Sequence, residues 1–541
     1  PALPLIVPER LATAEKRCIM NNGLFSRKGA AMKDTLTQAE KRKARNIALL
    51  IVLGLMLLAA LLLWAASWDV WQPKGQLPPE SDELLHAAAG MDAITVEATL
   101  DAAKKQLTAV QTLTIRNRTG DTQSSVVLRS YTGAYLSEDT SPAATDELFD
   151  SCYPEGFSTG GLLLDSAEVD GTSVAYAWQD TARTVLTLPL AAPWQPDETR
   201  QVTLRYHVHI PTCASRFGVH DGLWMLGNVF PTPTVWENGA WRTDAYSSIG
   251  DPFLSECANW TVRLTMPEGF RAAATGYAEP MRTKDGVIYA FTAHAVRDFA
   301  LVVSDQYEMA TGMEEGVMVI ACARERARAR EMLRYAKQSL RCYEEHYGAF
   351  LYPSLTVAEV DFPFSGMEYP RMGMISSRMV TKGGQTLEFS IAHEVAHQWW
   401  YAMVGSDSVN QPWQDESLCE YALMDYIGRY YGEDSRNSAA YQRIETALRM
   451  TIPRDVTPGS PISYFSDLTE YTQVVYRRGA ALWMALETHL GKAGLDAALQ
   501  DYQTSFRFAL ATREDLTQIL SEHAGMDLTE LMADYLDTHM S

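Results

Sequence analysis

The sequence predicts an α+β protein, with a β-rich half followed by a mainly helical half and a transmembrane helix ahead of both. Three observations predict it. From about residue 90 to 308 the apolar residues recur every second position, from about 322 they recur at helical spacing, and Ile47–Ser67 is an uncharged run rich in Leu, Ile, Val and Ala.

The apolar run comes first in the chain. At ~1.5 Å per helical residue it spans the ~30 Å of membrane hydrocarbon. Lys41, Arg42, Lys43 and Arg45 precede it and Asp69 follows Trp68, so the positive-inside rule puts segment 1–45 in the cytoplasm, the anchor at 46–68 and the body of the chain outside. The rival reading is a cleaved signal peptide, whose apolar core is shorter, at ~7 to 15 residues. Met32–Lys33 makes a more natural start for such a chain than Pro1, which sets residues 1–31 apart.

The Pro-containing polar stretch from Gln72 extends the non-membrane chain as a linker over 69–88. A length of 541 residues implies more than one domain, placed at 89–310 and 311–541. The first 45 residues carry ten Lys/Arg against four Asp/Glu, a net +6, which leaves −27 for the rest of a chain whose total is −21. So acidic a body repels phosphate backbones and excludes nucleic acid as a partner. Seven scattered cysteines without C-x-x-C spacing indicate isolated buried thiols, with Cys152–Cys213 left open as one pair outside the cell.

Within the β-rich half, Val202, Leu204, Tyr206, Val208 and Ile210 alternate with Thr203, Arg205, His207 and His209, the pattern of a half-buried strand. His207 and His209 form an H-x-H pair, for which a solvent-facing edge is a simpler account than metal binding. Trp260–Met266 repeats the alternation. In the second half, Cys322–Tyr347 is a long amphipathic helix and Thr356–Val360 a short strand. Helices then cover 386–404, 414–431 and 472–490.

The chemistry lies in HEVAHQWW. His393 and His397 stand at i and i+4, so on a helix they share one face and can grip one metal ion, with Glu394 beside them. A hydrolytic zinc site needs a third protein ligand and an open position for water. Glu416, with eighteen residues between it and His397, leaves room for a loop and a returning helix. Glu420, one turn on, is either an acceptor for the second N–H of a ligating histidine or an ordinary surface carboxylate.

These residues resemble the gluzincin zinc aminopeptidases, the group that includes aminopeptidase N and the leukotriene-converting hydrolase. HEVAHQWW with Glu416 in PWQDESLCEYA resembles the zinc motif, and GMEYP at Gly366–Pro370 the exopeptidase motif. Tyr476 in Tyr-Arg-Arg-Gly resembles the catalytic tyrosine. The stretch from Trp236 through Asp251-Pro-Phe and Ala258-Asn-Trp to Arg297-Asp-Phe resembles the β-domain of bacterial members.

The resemblance implies a β-rich saddle domain over a thermolysin-like catalytic domain, and one Zn2+ per chain. It makes Glu394 the base and Tyr476 the oxyanion donor, with Tyr471 as an assistant. Glu368 receives the free amino terminus of a peptide, while the backbone of Gly366 and Met367 runs beside it. The family's large C-terminal helical domain is expected to be missing or shortened. Asp415, Ser417 and Tyr369 depart from the family's usual Asn, Gly and Asn. The alternatives are a thermolysin-type endopeptidase and a catalytically silent surface scaffold.

Overall fold

The computed structural model describes residues 77–143, 146–452 and 454–538, with isolated positions between 42 and 56. The chain divides into units 1–73 and 74–541. The expected membrane anchor at 46–68 lies outside the described residues, apart from isolated positions. Among the described residues no helix is long and apolar enough to cross a membrane.

The β-rich half is built on one large sheet. Its strands are β1 (Asp92–Asp101), β2 (Gln106–Arg116), β3 (Gly161–Val169), β4 (Thr172–Val174), β5 (Thr199–His209), β6 (Ala258–Met266), β7 (Met281–Thr283) and β8 (Gly286–Val296). They lie in the order β7-β8-β6-β1-β2-β5-β3-β4, with β1 and β6 parallel. The alternation read in β5 is the one observed: Val202, Leu204, Tyr206 and Val208 are buried, while Arg205 and His209 are exposed. His207 faces Asp165 at 3.1 Å, as a strand-surface residue does.

Two four-stranded sheets and a two-stranded one, Trp236–Glu237 with Ala240–Trp241, complete this half. One of them, in the order Arg271–Ala274, Leu301–Ser304, Leu223–Leu226 and Phe217–His220, packs toward the second half. Met225, Val302 and Ala273 share a cluster there with Met318, Ile320, Met372 and Met374. Each such fully buried aliphatic side chain is worth about 1.5–3 kcal/mol.

The second half opens on a five-stranded sheet and not on a helix. Its strands are β9 (Glu308–Glu314), β10 (Val317–Ala323), β11 (Ser354–Val360), β12 (Gly366–Met367) and β13 (Met372–Ser376), in the order β9-β10-β11-β13-β12. Cys322, expected in a helix, therefore lies in β10. The run Val317–Ala323 is buried on both faces, so it shows no alternation to read. Helix α1 (Arg326–Tyr347) follows and packs against the next helix, α2 (Gly384–Ala396). Helices α3 (Trp413–Tyr431) and α4 (Gly479–Leu490) complete the frame of the site.

The expected helix 386–404 is shorter, because the chain leaves α2 at Ala396 and turns through Trp399–Val404. The expected helix 472–490 begins with a π-helical stretch, Thr472–Arg478, before α4. The six described cysteines are free and buried, Cys152 and Cys213 among them.

Arg297 ties the two halves together from a buried position. Its guanidinium donates to the carbonyls of Tyr401 at 2.7 Å, Ala509 at 2.5 Å and Ser255 at 3.3 Å.

Candidate active site

Helix α2 buries Leu387, Ile391, Ala392 and Val395 in the core, which turns Glu394 toward the sheet edge. Although α2 ends at Ala396, His397 keeps a helical conformation (φ −61°, ψ −12°), so its ring stays one turn above that of His393. The ring centroids are 4.9 Å apart. The Nε2 atoms face each other at 3.2 Å. Helix α3 delivers Glu416, whose Oε2 lies 3.3 Å from His393 Nε2 and 3.2 Å from His397 Nε2.

This trio fits zinc on geometry as well as on donor chemistry. A tetrahedral ion at ~2.0–2.1 Å from each donor requires donor–donor separations of about 3.3 Å. Two imidazoles and one carboxylate are also the donor set of catalytic zinc sites. His397 Nδ1 lies 3.1 Å from the Trp400 carbonyl, so its N–H donates there and Nε2 keeps its lone pair for the metal.

Glu394 lies against β12, and only glycine permits this. A Cβ on Gly366 would come within 2.0 Å of Glu394 Oε1. Burial pushes the Glu394 carboxyl up to about 8. Strand β12 is the outermost strand of its sheet, hydrogen-bonded only to β13 through Gly366–Ile375 and Met367–Met374, and its other side borders the cleft.

The chain then bends through Glu368 and Tyr369. The Gln398 side chain holds this bend, accepting from Arg371 N at 2.6 Å and donating to the Tyr369 carbonyl at 3.2 Å. Tyr369, where the family has Asn, donates to Asn228 Oδ1 of the β-rich half at 2.7 Å. The departure thus anchors the loop that carries Glu368.

Tyr476 comes from the π-helical stretch. Its ring stacks on His393, with centroids 5.7 Å apart, and its hydroxyl donates to Glu416 Oε1 at 2.5 Å. Tyr471 is edge-on to it at 5.6 Å, and the buried Tyr471 hydroxyl has no hydrogen-bond partner. Gly479, the first residue of α4, lets that helix pack closely on α3, because a Cβ there would approach Ser417 Cβ to 2.7 Å. Ser417 accepts from Trp483 Nε1 at 2.8 Å. Asp415 accepts the Glu416 N–H at 2.7 Å, so neither departure near the third ligand disturbs it.

The β-rich half contributes Asp251. Its carboxylate and those of Glu368 and Glu416 lie within 4.8 Å of one another, while Arg216 pairs with Asp251 at 2.5 Å. Burial raises Asp251 to about 6, and raises Glu368 strongly with the Asp251 charge adding to it. Burial also opposes charge on Glu416, but the two imidazoles hold it well below the usual carboxylate range. Gly250, at φ +71°, packs on Tyr471 and turns Asp251 inward. Asp251 was visible in sequence only as part of the Asp-Pro-Phe stretch, with no role attached.

Glu420 meets neither expectation. It is buried, and Arg443 grips both its oxygens at 2.5 and 2.8 Å. Nothing in the spacing revealed Arg443, because it arrives from a separate helical stretch beyond α3. The metal trio, Glu394, Gly366, Glu368, Asp251, Glu420, Arg443, Tyr471 and Tyr476 line one cleft of about 670 Å³.

A second cluster of possible ligands, His346, Asp425 and Asp496, is occupied differently. Lys492 Nζ lies 3.0 Å from Asp425 Oδ2 and 3.2 Å from His346 Nδ1. An ammonium group already fills it.

A protein-family model, the peptidase family M1 domain, matches residues 331–535, which contain the trio, Glu394 and Tyr476. Over these residues the chain is similar to peptidase family M1. That agrees with the gluzincin kinship expected from the motifs. Aminopeptidase N of Lactobacillus delbrueckii subsp. lactis is 25% identical over 404 residues, covering 70% of this chain and 46% of that protein. Leukotriene A-4 hydrolase of Xenopus laevis is 26% identical over 200 residues, covering 36% of this chain and 32% of that one. The chain spans just under half the length of this aminopeptidase N and of that of Lactobacillus helveticus.

The fold is shared with an M1 zinc metallopeptidase from Deinococcus radiodurans. The TM-score is 0.59 at 17% identity, over 82% of this chain and 93% of that one. Another structure from that organism, with a TM-score of 0.60 and 18% identity over the same 82% of this chain, holds a Tyr-Ser-Ala substrate. The M1 fold thus accounts for the arrangement of a β-rich half over a helical, zinc-motif half.

Proposed function

We propose that this chain is a zinc-dependent aminopeptidase that removes N-terminal residues from peptides, with one Zn2+ held by His393, His397 and Glu416. The observation that carries the reading is the carboxylate pair Asp251 and Glu368 beside the metal trio. Paired buried acids one step from a metal centre make a receptor for an α-ammonium group.

Zinc bound there supplies Lewis acidity to the scissile carbonyl and to the attacking water. Glu394 takes the proton from that water and returns it to the leaving amine. Tyr476 donates its hydroxyl hydrogen to the developing oxyanion, and Tyr471 stands behind it with a free hydroxyl. Gly366 and Met367 offer the outer edge of β12, on which an extended peptide adds as a strand.

The test compares an aminoacyl anilide with its N-acetylated form. Cleavage of the free compound alone supports the proposal. Equal cleavage of both marks an endopeptidase, and cleavage of neither, with zinc bound, marks a silent scaffold.

The uncharged run Ile47–Ser67 after Lys41, Arg42, Lys43 and Arg45 supports a single-pass anchor, with segment 1–45 in the cytoplasm and the active site outside. Release of the chain from membranes by a high-salt wash would sink this part of the proposal.

A further inference from the structure

The loop that carries Glu368 ends on a buried positive charge. Arg371 is fully buried, and its Nε and Nη1 have no hydrogen-bond partner. Its Nη2 donates to Ser354 Oγ at 2.7 Å, and its guanidinium carbon lies 5.7 Å from the centre of the Tyr352 ring. Burial pulls Arg371 down to about 10, against the Glu80 charge, so it stays charged at neutral pH. Such a charge is costly to bury without a carboxylate beside it. Among the described residues the one carboxylate paired with it is Glu80, whose Oε1 lies 3.7 Å from Nη1.

Glu80 comes from the stretch that precedes the β-rich half. Its other oxygen takes a hydrogen bond from His294 Nδ1 of β8. The helix Asp82–Ala88 follows at once, capped by Ser81. Glu83 pairs with Arg507 of the helical half, and the Ala88 carbonyl accepts from Asn259 Nδ2 of the β-rich half at 2.9 Å. Residues 80–88 therefore grip both halves, and Glu80 alone touches one side chain from each.

Arg371 in turn fixes the backbone behind Glu368. Its φ of +60° is a left-handed conformation that a bulky side chain adopts only where its surroundings impose it. Gln398 holds both Arg371 N and the Tyr369 carbonyl, and the Arg371 carbonyl accepts from Thr356 N at 2.8 Å. Met372 N donates to the Tyr369 carbonyl at 2.9 Å, closing the bend three residues after Glu368. A guanidinium deprived of its counter-charge moves toward water, and the bend it anchors then shifts Glu368 away from Asp251.

We propose that Glu80 is a positioning residue of the peptidase site, holding Arg371 in place and so keeping Glu368 where the α-ammonium group of a substrate is received. The inference rests on the aminopeptidase reading above. It makes the stretch ahead of the β-rich half part of the working site and not a spacer.

The test measures inhibition of the zinc-loaded full chain by leucine hydroxamate and by its des-amino analogue, 4-methylpentanoyl hydroxamate. Both carry the same metal-binding group, and only the first carries an amine. Glu80→Gln is expected to weaken leucine hydroxamate about tenfold, to raise KM for leucyl anilide about as much with kcat within about threefold, and to leave the des-amino analogue unchanged. Glu80→Asp should recover part of the loss. In an Arg371→Met background, where no buried charge needs a partner, Glu80→Gln should have no effect. Ser81→Ala, which uncaps the same helix but keeps Glu80, should leave both inhibitors as they bind the wild type. Equal weakening of the two hydroxamates by Glu80→Gln, or weakening of neither, overturns the inference, as does an effect that persists without Arg371. Should Glu80→Gln fail to fold, the same comparison made with Glu80→Asp decides in the same way. A wild type that binds both hydroxamates equally and cleaves N-acetylated leucyl anilide as fast as the free compound overturns the aminopeptidase reading itself, whereas discrimination that survives in the Glu80 variants overturns this inference alone.

Discussion

At the scale of single residues, the site separates holding a metal from using it. Glu394 makes no hydrogen bond to a ligand atom of the trio, so its removal should spare the metal. Glu394→Gln is expected to keep one zinc per chain by elemental analysis while lowering kcat about 10³-fold. Retention of activity would remove Glu394 from the role of base. Spacing made this part of the site legible, since H-E-x-x-H on a helix dictates which atoms converge. Asp251 and Arg216 were not legible in the same way. Each reaches the cleft from a segment distant in sequence, and one acid or base in a loop carries no local signature of the partner it will meet.

At the scale of elements, the fit of α2 against β12 decides whether Glu394 can work. A methyl group on Gly366 would lie 2.0 Å from Glu394 Oε1 and 2.5 Å from Cγ, and its three nearest atoms all belong to that one side chain. Glu394 can rotate away, so the fold should survive while the base is displaced. Gly366→Ala is therefore expected to cost roughly 10- to 100-fold in kcat, with a melting temperature within a few degrees of the wild type. A large loss of melting temperature would mean that the strand, and not the base, had moved. The half-exposed strands such as β5 were readable because one face is wet and alternation follows. The second half's sheet was largely missed, because β10 and β13 are buried on both faces and read as featureless apolar runs. The early end of α2 was hidden as well, since Gln398-Trp-Trp-Tyr continues a helical composition while the backbone turns.

At the scale of the whole molecule, the active site depends on how the β-rich half grips the loop between α2 and α3. Arg242 of the β-rich half binds Asp407 of that loop at 2.8 and 3.3 Å, and also binds Asp244 at 2.9 Å and Glu237 at 2.7 Å. Asp407 further accepts from the backbone of Val409 and Asn410, each at 3.1 Å, which shapes the approach to Glu416. Burial works against the Asp407 charge, yet Arg242 and Asn410 hold its carboxyl below the usual value of 3.8. A carboxyl lowered in the folded state adds stability above the unfolded value, and that stability disappears as the pH falls through the folded one. Asp407→Asn should thus lower the unfolding free energy by about 1–3 kcal/mol at pH 7. The gap should narrow below pH ~4, as the wild-type carboxyl protonates on unfolding and then in the fold. Urea unfolding of both proteins, metal-free and across this pH range, measures it. A gap that stays constant into acid would mean that Asp407 supports the loop through hydrogen-bond shape alone, and that its charge plays no part in joining the two halves.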